Sequence, residues 1–190
     1  MFEVPIARSD VHIHLLESHI EALFGKGYKL TNIKDLTIPG QFACAETVKL
    51  IGPGGEIDKV VVVGPAREYS QVEISRTNGL TLGIDAPLRD SGDIDGSPGI
   101  IVAGPEGELH LNEGVIMAAR HIHMHQDDAD SLGLKNGDTV SVKIPGERGL
   151  IFNQVKIKCG AGEALEMHVD FDEGHAAGIT DFQPVELLID

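Results

Sequence analysis

The chain has 190 residues, a formal net charge of −15, no Trp and only 4% aromatic residues. That balance argues against duplex DNA, RNA or an anionic membrane as partner, since those need clustered cations and single strands also need stacking rings. With 42% hydrophobic and 24% charged residues it is an ordinary globular composition, long enough for one large domain or two small ones.

Taken in order, Met1 to Ala7 reads as a short, partly apolar lead-in. His12-Ile13-His14-Leu15 reads as a strand. Glu17 to Gly25 reads as a short helix, with Ile20, Leu23 and Phe24 at helical spacing. Pro39-Gly40 is a turn. Thr47–Ile51 and Ile57–Val63 are strands around Gly52-Pro53-Gly54-Gly55, a hairpin by composition. Gln71 to Ser75 alternates, with Gln71, Glu73 and Ser75 on one face. Asn78 to Pro98 is rich in Gly, Asp and Pro and reads as loop with room for one short strand. Ile100–Val102 and Leu109–Leu111 flank Gly104-Pro105-Glu106-Gly107, a hairpin of the same type as the first. Then comes Ala119-Arg120-His121-Ile122-His123-Met124, a second histidine strand, and a short helix over Asp127–Leu132. Val140–Ile144, Val155–Cys159 and Val185–Ile189 are strands. Leu165 to Asp172 alternates throughout, with Glu166, His168, Asp170 and Asp172 on one face.

The two histidine strands echo each other. Each carries His-Ile-His, then a short helix, then glycine, and the GP-x-G-E hairpins repeat as well. This points to a duplication, or to two related β-barrels with short cap helices.

In a strand, alternate side chains share a face, so each pair presents two imidazoles together. His12, His14, His121, His123 and His168 are therefore candidate metal ligands. Glu73 is the candidate carboxylate, because it lies between apolar residues where an unpaired charge is costly. Taken alone it reads as a solvent-facing residue of a half-exposed strand. Arg67 follows a strand end and is either a phosphate fork or a surface residue. His19 and His110 read as surface residues. His125 either lines the site or ends a strand at the surface, and His175 follows His168 closely enough to approach the same cleft. Ser9-Asp10-Val11-His12-Ile13-His14 also fits the D-x-H-x-H start of metal-dependent amidohydrolases. Their (β/α)8 barrels need about 250 residues, however, and this chain shows hairpins instead of alternating βα units.

Cys44 and Cys159 form no disulfide framework. With no signal peptide and no apolar run of membrane length, the expected location is the cytoplasm. Cys44 reads as a small buried thiol, because no local His partners it.

From Ser9 to about Gly178 the chain resembles the PduL-type phosphate acyltransferases (phosphate propanoyltransferases, or phosphotransacylases). The matching stretches are VHIHL, PGQFACAETV, the long run from VVVVGPAREYSQVEISRTNG to LTLGIDAPLRDSGDIDGSPG, ARHIHM, LGLKNGD and HVDFDE. The resemblance implies a mainly β fold of two barrel domains capped by short helices, with the active site in the cleft between them. The expected division is 1–115 and 116–190, with terminal segments free to cross over. It implies two metal ions, usually zinc, one held by His12, His14 and Glu73 and the other by His121, His123 and His168. It implies that Arg67 binds phosphate and that Gln41, Phe42 and Ala43 contribute to the coenzyme A site. The implied reaction is acyl-CoA plus phosphate giving acyl phosphate plus CoA. The partners are then small molecules, with neither nucleic acid nor membrane, and with room for a homo-oligomer. A metal-dependent hydrolase of a small acyl or phosphoester substrate is the alternative. The chain departs from the family pattern at Val11, at Met124-His125-Gln126 and at His175, which bears on acyl-chain preference. Its start leaves no N-terminal microcompartment-targeting helix in view, so a free enzyme is expected.

Overall fold

The computed structural model describes residues 2–189. In chain order the elements are β1 (Phe2–Ser9), β2 (His12–His14), α1 (Glu17–Phe24), β3 (Asn32–Asp35), β4 (Phe42–Ile51), β5 (Glu56–Gly64), β6 (Gln71–Glu73) and α2 (Arg76–Leu82). There follow β7 (Leu88–Arg89), β8 (Ile100–Ala103), β9 (Glu108–Leu111), β10 (Val115–Ala118), β11 (His121–His125) and α3 (Gln126–Leu132). The last elements are β12 (Thr139–Ile144), β13 (Leu150–Gly160), β14 (Glu166–Asp170), α4 (Phe171–Ala177) and β15 (Pro184–Leu188). The fold is mainly β, as expected. Among the described residues no helix is long and apolar enough to cross a membrane.

The chain forms two compact units. One takes everything up to Asp10, Thr37–Pro39, and Ala119 onward; the other takes Val11–Leu36 and Gly40–Ala118. The first unit is a closed six-stranded barrel in the order β1-β14-β11-β13-β12-β15. β1 closes it, running parallel to β14 and antiparallel to β15, so the opening residues are a barrel strand and not the lead-in that composition suggests. Val4 and Ile6 of β1 are fully buried with Ile122, Met124, Val142 and Met167 in this barrel's core. Each such side chain contributes on the order of 1.5–3 kcal/mol when removed from water.

The second unit is a nine-stranded sheet that curls into a half-barrel. Its path runs β7-β10-β6-β2-β5-β4-β8-β9, with β3 added beside β4. Its own core gathers Ile13, Leu15, Ile20, Leu23, Leu50, Val62, Val72, Leu82 and Val102. The two GP-x-G-E hairpins have a shared purpose here. At the β4–β5 turn, Gly54 N–H donates to Leu82 O at the end of α2 (2.9 Å). At the β8–β9 turn, Glu106 N–H donates to Leu23 O at the end of α1 (3.0 Å). Each turn thus satisfies a carbonyl that a helix C-terminus leaves unpaired. Glycine is required by the closeness of approach: a Cβ on Gly52 would sit 2.2 Å from Leu82 O, and one on Gly104 would sit 2.6 Å from Leu23 O.

Two helices lie where composition and alternation suggest none. α2 falls in the stretch read as loop, and α4 begins at Phe171, inside the alternating run. Both are made by their caps. Ser75 and Asp170 each close a capping box with the residue three positions on, Asn78 and Glu173, and Gly83 and Gly178 end the helices with positive φ. β3 and β10 are likewise strands that the local pattern does not announce.

Candidate metal centres

Both histidine strands are built into the same arrangement. β2 lies between β5, parallel to it, and β6, antiparallel to it. β11 lies between β13, parallel, and β14, antiparallel. Across the antiparallel pair His12 is in register with Glu73, and His121 is in register with His168. Directly opposed residues bring their Cβ atoms to about 4.5–5.5 Å, so register alone brings a third donor to each pair. The donor atoms of His12, His14 and Glu73 lie within 4.8 Å of one another, as do those of His121, His123 and His168. Each set belongs wholly to one unit.

The proton positions in the trihistidine set follow from the partners. His121 Nδ1 meets the carbonyl of Ala119 at 2.8 Å, and His123 Nδ1 meets Glu163 Oε2 at 2.7 Å. Both partners are acceptors, so both Nδ1 atoms carry the proton, and in the neutral rings both Nε2 atoms present lone pairs. Those two Nε2 atoms face each other at 3.0 Å. His168 Nε2 donates to Glu166 Oε1 at 2.8 Å, which leaves its Nδ1 as the free lone pair. Burial, then the charges of Lys158 and His168, push the His121 imidazole well below its ordinary pKa. Lone pairs converging at that spacing repel one another unless a cation joins them. The donor set therefore fits a divalent ion, and imidazole nitrogens suit zinc, with cobalt, iron or manganese fitting the same ligands. Burial raises the Glu163 carboxyl. Burial also pushes Glu166 upward, but His168, with a weaker contribution from the Thr37 side chain, outweighs it and holds that carboxyl below its ordinary range.

The second set is similar in logic. His14 is buried, and its Nδ1–H donates to Val63 O at 3.1 Å, so Nε2 is the lone pair. Burial, then the neighbouring His12 and Arg67, lower its pKa to about 2, which keeps the imidazole neutral. His12 Nε2 lies 3.6 Å from Glu73 Oε2. Glu73 is partly buried and faces this pair, and is not a free solvent-facing carboxylate.

Arg67 is partly buried. Its backbone N–H donates to Leu15 O at 2.9 Å, tying it to the end of β2 next to His14, and its guanidinium reaches Ser91 Oγ at 3.4 Å. Phe42 and Ala43 lie at the start of β4, with Gln41 just before it. Phe42 lines a cleft of about 190 Å³ together with Tyr28, Lys29, Leu30, Pro65 and Ala66. Among the other histidines, His110 is exposed. His19 is half-buried and bonded to Ser70 Oγ at 2.8 Å, so it is more than a surface residue. His125 caps α3 by accepting from Asp127 N–H, and His175 packs edge-on against Phe171.

The alternating pattern placed Gln71 and Glu166 beside ligands without assigning either a task. Both are buried polar side chains bonded to a candidate ligand. Glu163 was not legible at all, since it lies in a turn and meets His123 only through the fold.

A family model described as phosphate propanoyltransferase matches residues 5–180. The chain is 50% identical over 188 residues to a phosphate propanoyltransferase of Lachnoclostridium phytofermentans, covering 98% of this chain and 88% of that relative. It is 51% identical over 170 residues to one of Thermotoga maritima, covering 89% and 81%. It is 49% identical over 175 residues to one of Leptotrichia buccalis, covering 92% and 83%.

Proposed function

The chain belongs to the phosphate propanoyltransferase family, and on that footing we propose that it moves a short acyl group, acetyl or propanoyl, between coenzyme A and phosphate with two divalent ions, zinc by donor type. The observation that carries this reading is the pair of donor sets, each with its donor atoms within 4.8 Å of one another and with His14, His121 and His123 held through hydrogen bonds at Nδ1.

In the forward direction a phosphate oxygen bonds to the thioester carbonyl carbon, the carbon–sulfur bond breaks, and CoA leaves as a thiolate that takes up a proton. An ion held at either centre would supply Lewis-acid charge to an anionic oxygen or to the leaving sulfur. His12, His14 and Glu73 would hold one ion, and His121, His123 and His168 the other. Arg67 offers phosphate a planar fork, and its backbone tie to Leu15 keeps that fork beside His14. Transfer is direct, without an acyl-enzyme. Cys44, which lies in the PGQFACAETV stretch, is buried, and burial followed by the Glu46 charge raises its thiol to about 11, so it supplies no thiolate nucleophile. Gln41, Phe42 and Ala43 contribute to the coenzyme A site, where the cleft beside Phe42, lined also by Ile20, Leu30 and Pro65, suits the pantetheine arm, and Lys29 at the same cleft is ion-paired to Glu17.

The test is free CoA release from acetyl-CoA and propanoyl-CoA, with and without phosphate, before and after chelation. Phosphate-dependent release that a chelator abolishes and zinc restores is expected, and the two substrates rank acyl preference. Release that needs no phosphate would replace this reading with a hydrolase. An acyl-protein trapped from acyl-CoA alone would overturn direct transfer.

A further inference from the structure

Each centre has a fourth corner. On β2 and β6, His12 faces Glu73 and His14 faces Gln71. On β11 and β14, His121 faces His168 and His123 faces Glu166. Gln71 and Glu166 therefore occupy the same place in the two units: opposite the second histidine of the pair, and two residues before the third ligand. Both are buried, with 0% and 4% of their surface exposed. Both bond to that third ligand. Gln71 Nε2 donates to Glu73 Oε1 at 2.7 Å, and Glu166 Oε1 accepts from His168 Nε2 at 2.8 Å.

We infer that Gln71 and Glu166 are positioning residues that hold the third ligand of each centre, with their polarity matched to it: a donor behind a carboxylate and an acceptor behind an imidazole. The inference rests on reading the two donor sets as metal centres.

The amide of Gln71 has one orientation only. Its Oε1 accepts from the backbone N–H of Gly92 at 2.7 Å, and its Nε2 donates to Ser91 Oγ at 2.8 Å as well as to Glu73. A flipped amide would set N–H against N–H and oxygen against a carboxylate. The fixed amide occupies Glu73 Oε1 and leaves Oε2 on the side of His12. The same amide ties the Ser91–Gly92 turn, whose hydroxyl also meets Arg67, to the centre. Glu166 makes the opposite choice. Its Oε1 fixes the proton of His168 on Nε2 and so exposes Nδ1 as the ligand atom. Among the described residues its Oε2 is buried without a hydrogen-bond partner. A buried carboxylate with one unsatisfied oxygen is costly, and a cation held nearby by His168 offsets that cost.

Chelator competition on the purified full chain, counting zinc ions retained per chain, tests this. Outer partners of this kind change ion affinity about 10–100-fold. Gln71→Met removes the donor at similar volume without adding charge, and should weaken one ion about tenfold or more while sparing the other. Glu166→Met should weaken the other ion similarly, whereas Glu166→Gln, which still offers an acceptor oxygen, should recover most of the affinity. In a His12→Ala background, expected to retain a single ion, Gln71→Met should have no further effect and Glu166→Met should weaken what remains. Unchanged competition curves in Gln71→Met and Glu166→Met, or equal loss of both ions in each, would overturn the inference and leave the metal-centre reading standing. A parent protein that binds no divalent ion would overturn both. Thermal melts of the metal-free variants identify any that fail to fold, and Glu166→Gln then carries the comparison with the parent for its centre.

Discussion

The Nε2 atoms of His121 and His123 face each other at 3.0 Å while both Nδ1 atoms are committed to acceptors. With both rings neutral, two lone pairs held that close raise the free energy of the metal-free fold, and a bound metal ion removes the repulsion. Chelation should therefore lower the melting temperature, and zinc should restore it. An ion present at about 100 times its dissociation constant adds about 2.7 kcal/mol per site. His123→Ala should abolish the zinc-dependent shift from one centre and lose activity with it. Calorimetric melts with graded free zinc measure this, and a melt indifferent to chelator would contradict it.

Glu163 stands behind His123 from a turn, and its side chain is 30% exposed. Water can replace part of what it does, so Glu163→Ala should weaken ion binding toward the low end of the range for outer partners, about tenfold. Glu163→Gln should lie closer to the parent. Competition against a chromophoric chelator reads both.

Arg67→Lys keeps the charge but loses the two-pronged contact with phosphate. Hydrogen bonds to charged groups contribute about 1.5–3 kcal/mol, so KM for phosphate should rise by at least about tenfold. KM for acyl-CoA should move much less. Initial-rate measurements with each substrate varied separately decide it, and equal shifts in both would remove Arg67 from the phosphate site.

Glu46 is a buried carboxylate that accepts from Tyr28 Oη at 2.8 Å and from Thr31 N–H at 3.0 Å. Burial pushes its carboxyl up, but the bonds from Thr31 and Tyr28 outweigh that and hold it below the ordinary range. The unfolded chain therefore takes up its proton at higher pH than the native protein does. The stabilisation is present above about pH 4.5 and is lost as pH falls through the native value. Glu46→Ala should cost about 1–3 kcal/mol at pH 7 and flatten the loss of stability below pH 4.5. Denaturant titrations at pH 7 and pH 4 supply the comparison.

Gly104→Ala should destabilise the second unit. The new Cβ would meet Leu23 O at 2.6 Å, and backbone on both sides leaves little room to yield. A loss of about 1–3 kcal/mol is expected from such overpacking. Replacing Gly162, whose Cβ would meet nothing within 4 Å, should be nearly silent. Parallel melts of the two variants give the contrast.

Much of this molecule is readable from local pattern. Period-two alternation identifies the histidine strands, and Gly-Pro turns identify the hairpins, because both signals depend only on neighbours in the chain. The echo between the halves is also visible, and it corresponds to two sheets that pair their histidine strand in the same way. β1 is different. Phe2–Ser9 carries a proline and weak alternation, and it becomes a strand because β14 and β15, more than 150 residues later, offer it unpaired edges. α2 and α4 are short, and their intrinsic propensity is poor. Capping boxes and packing against the sheets stabilise them, and those energies appear only once the sheet exists.

Local pattern is enough to say which side chains could bind a metal and that each pair shares a face, since alternation is a property of the strand backbone. Which residue completes each set, and which residues stand behind it, depends on the folded sheets. Glu73 meets His12, His168 meets His121, and Gln71, Glu163 and Glu166 reach their partners through strand register and a turn. Register depends on how whole strands bury their apolar faces, and a slip of one residue would turn every donor away.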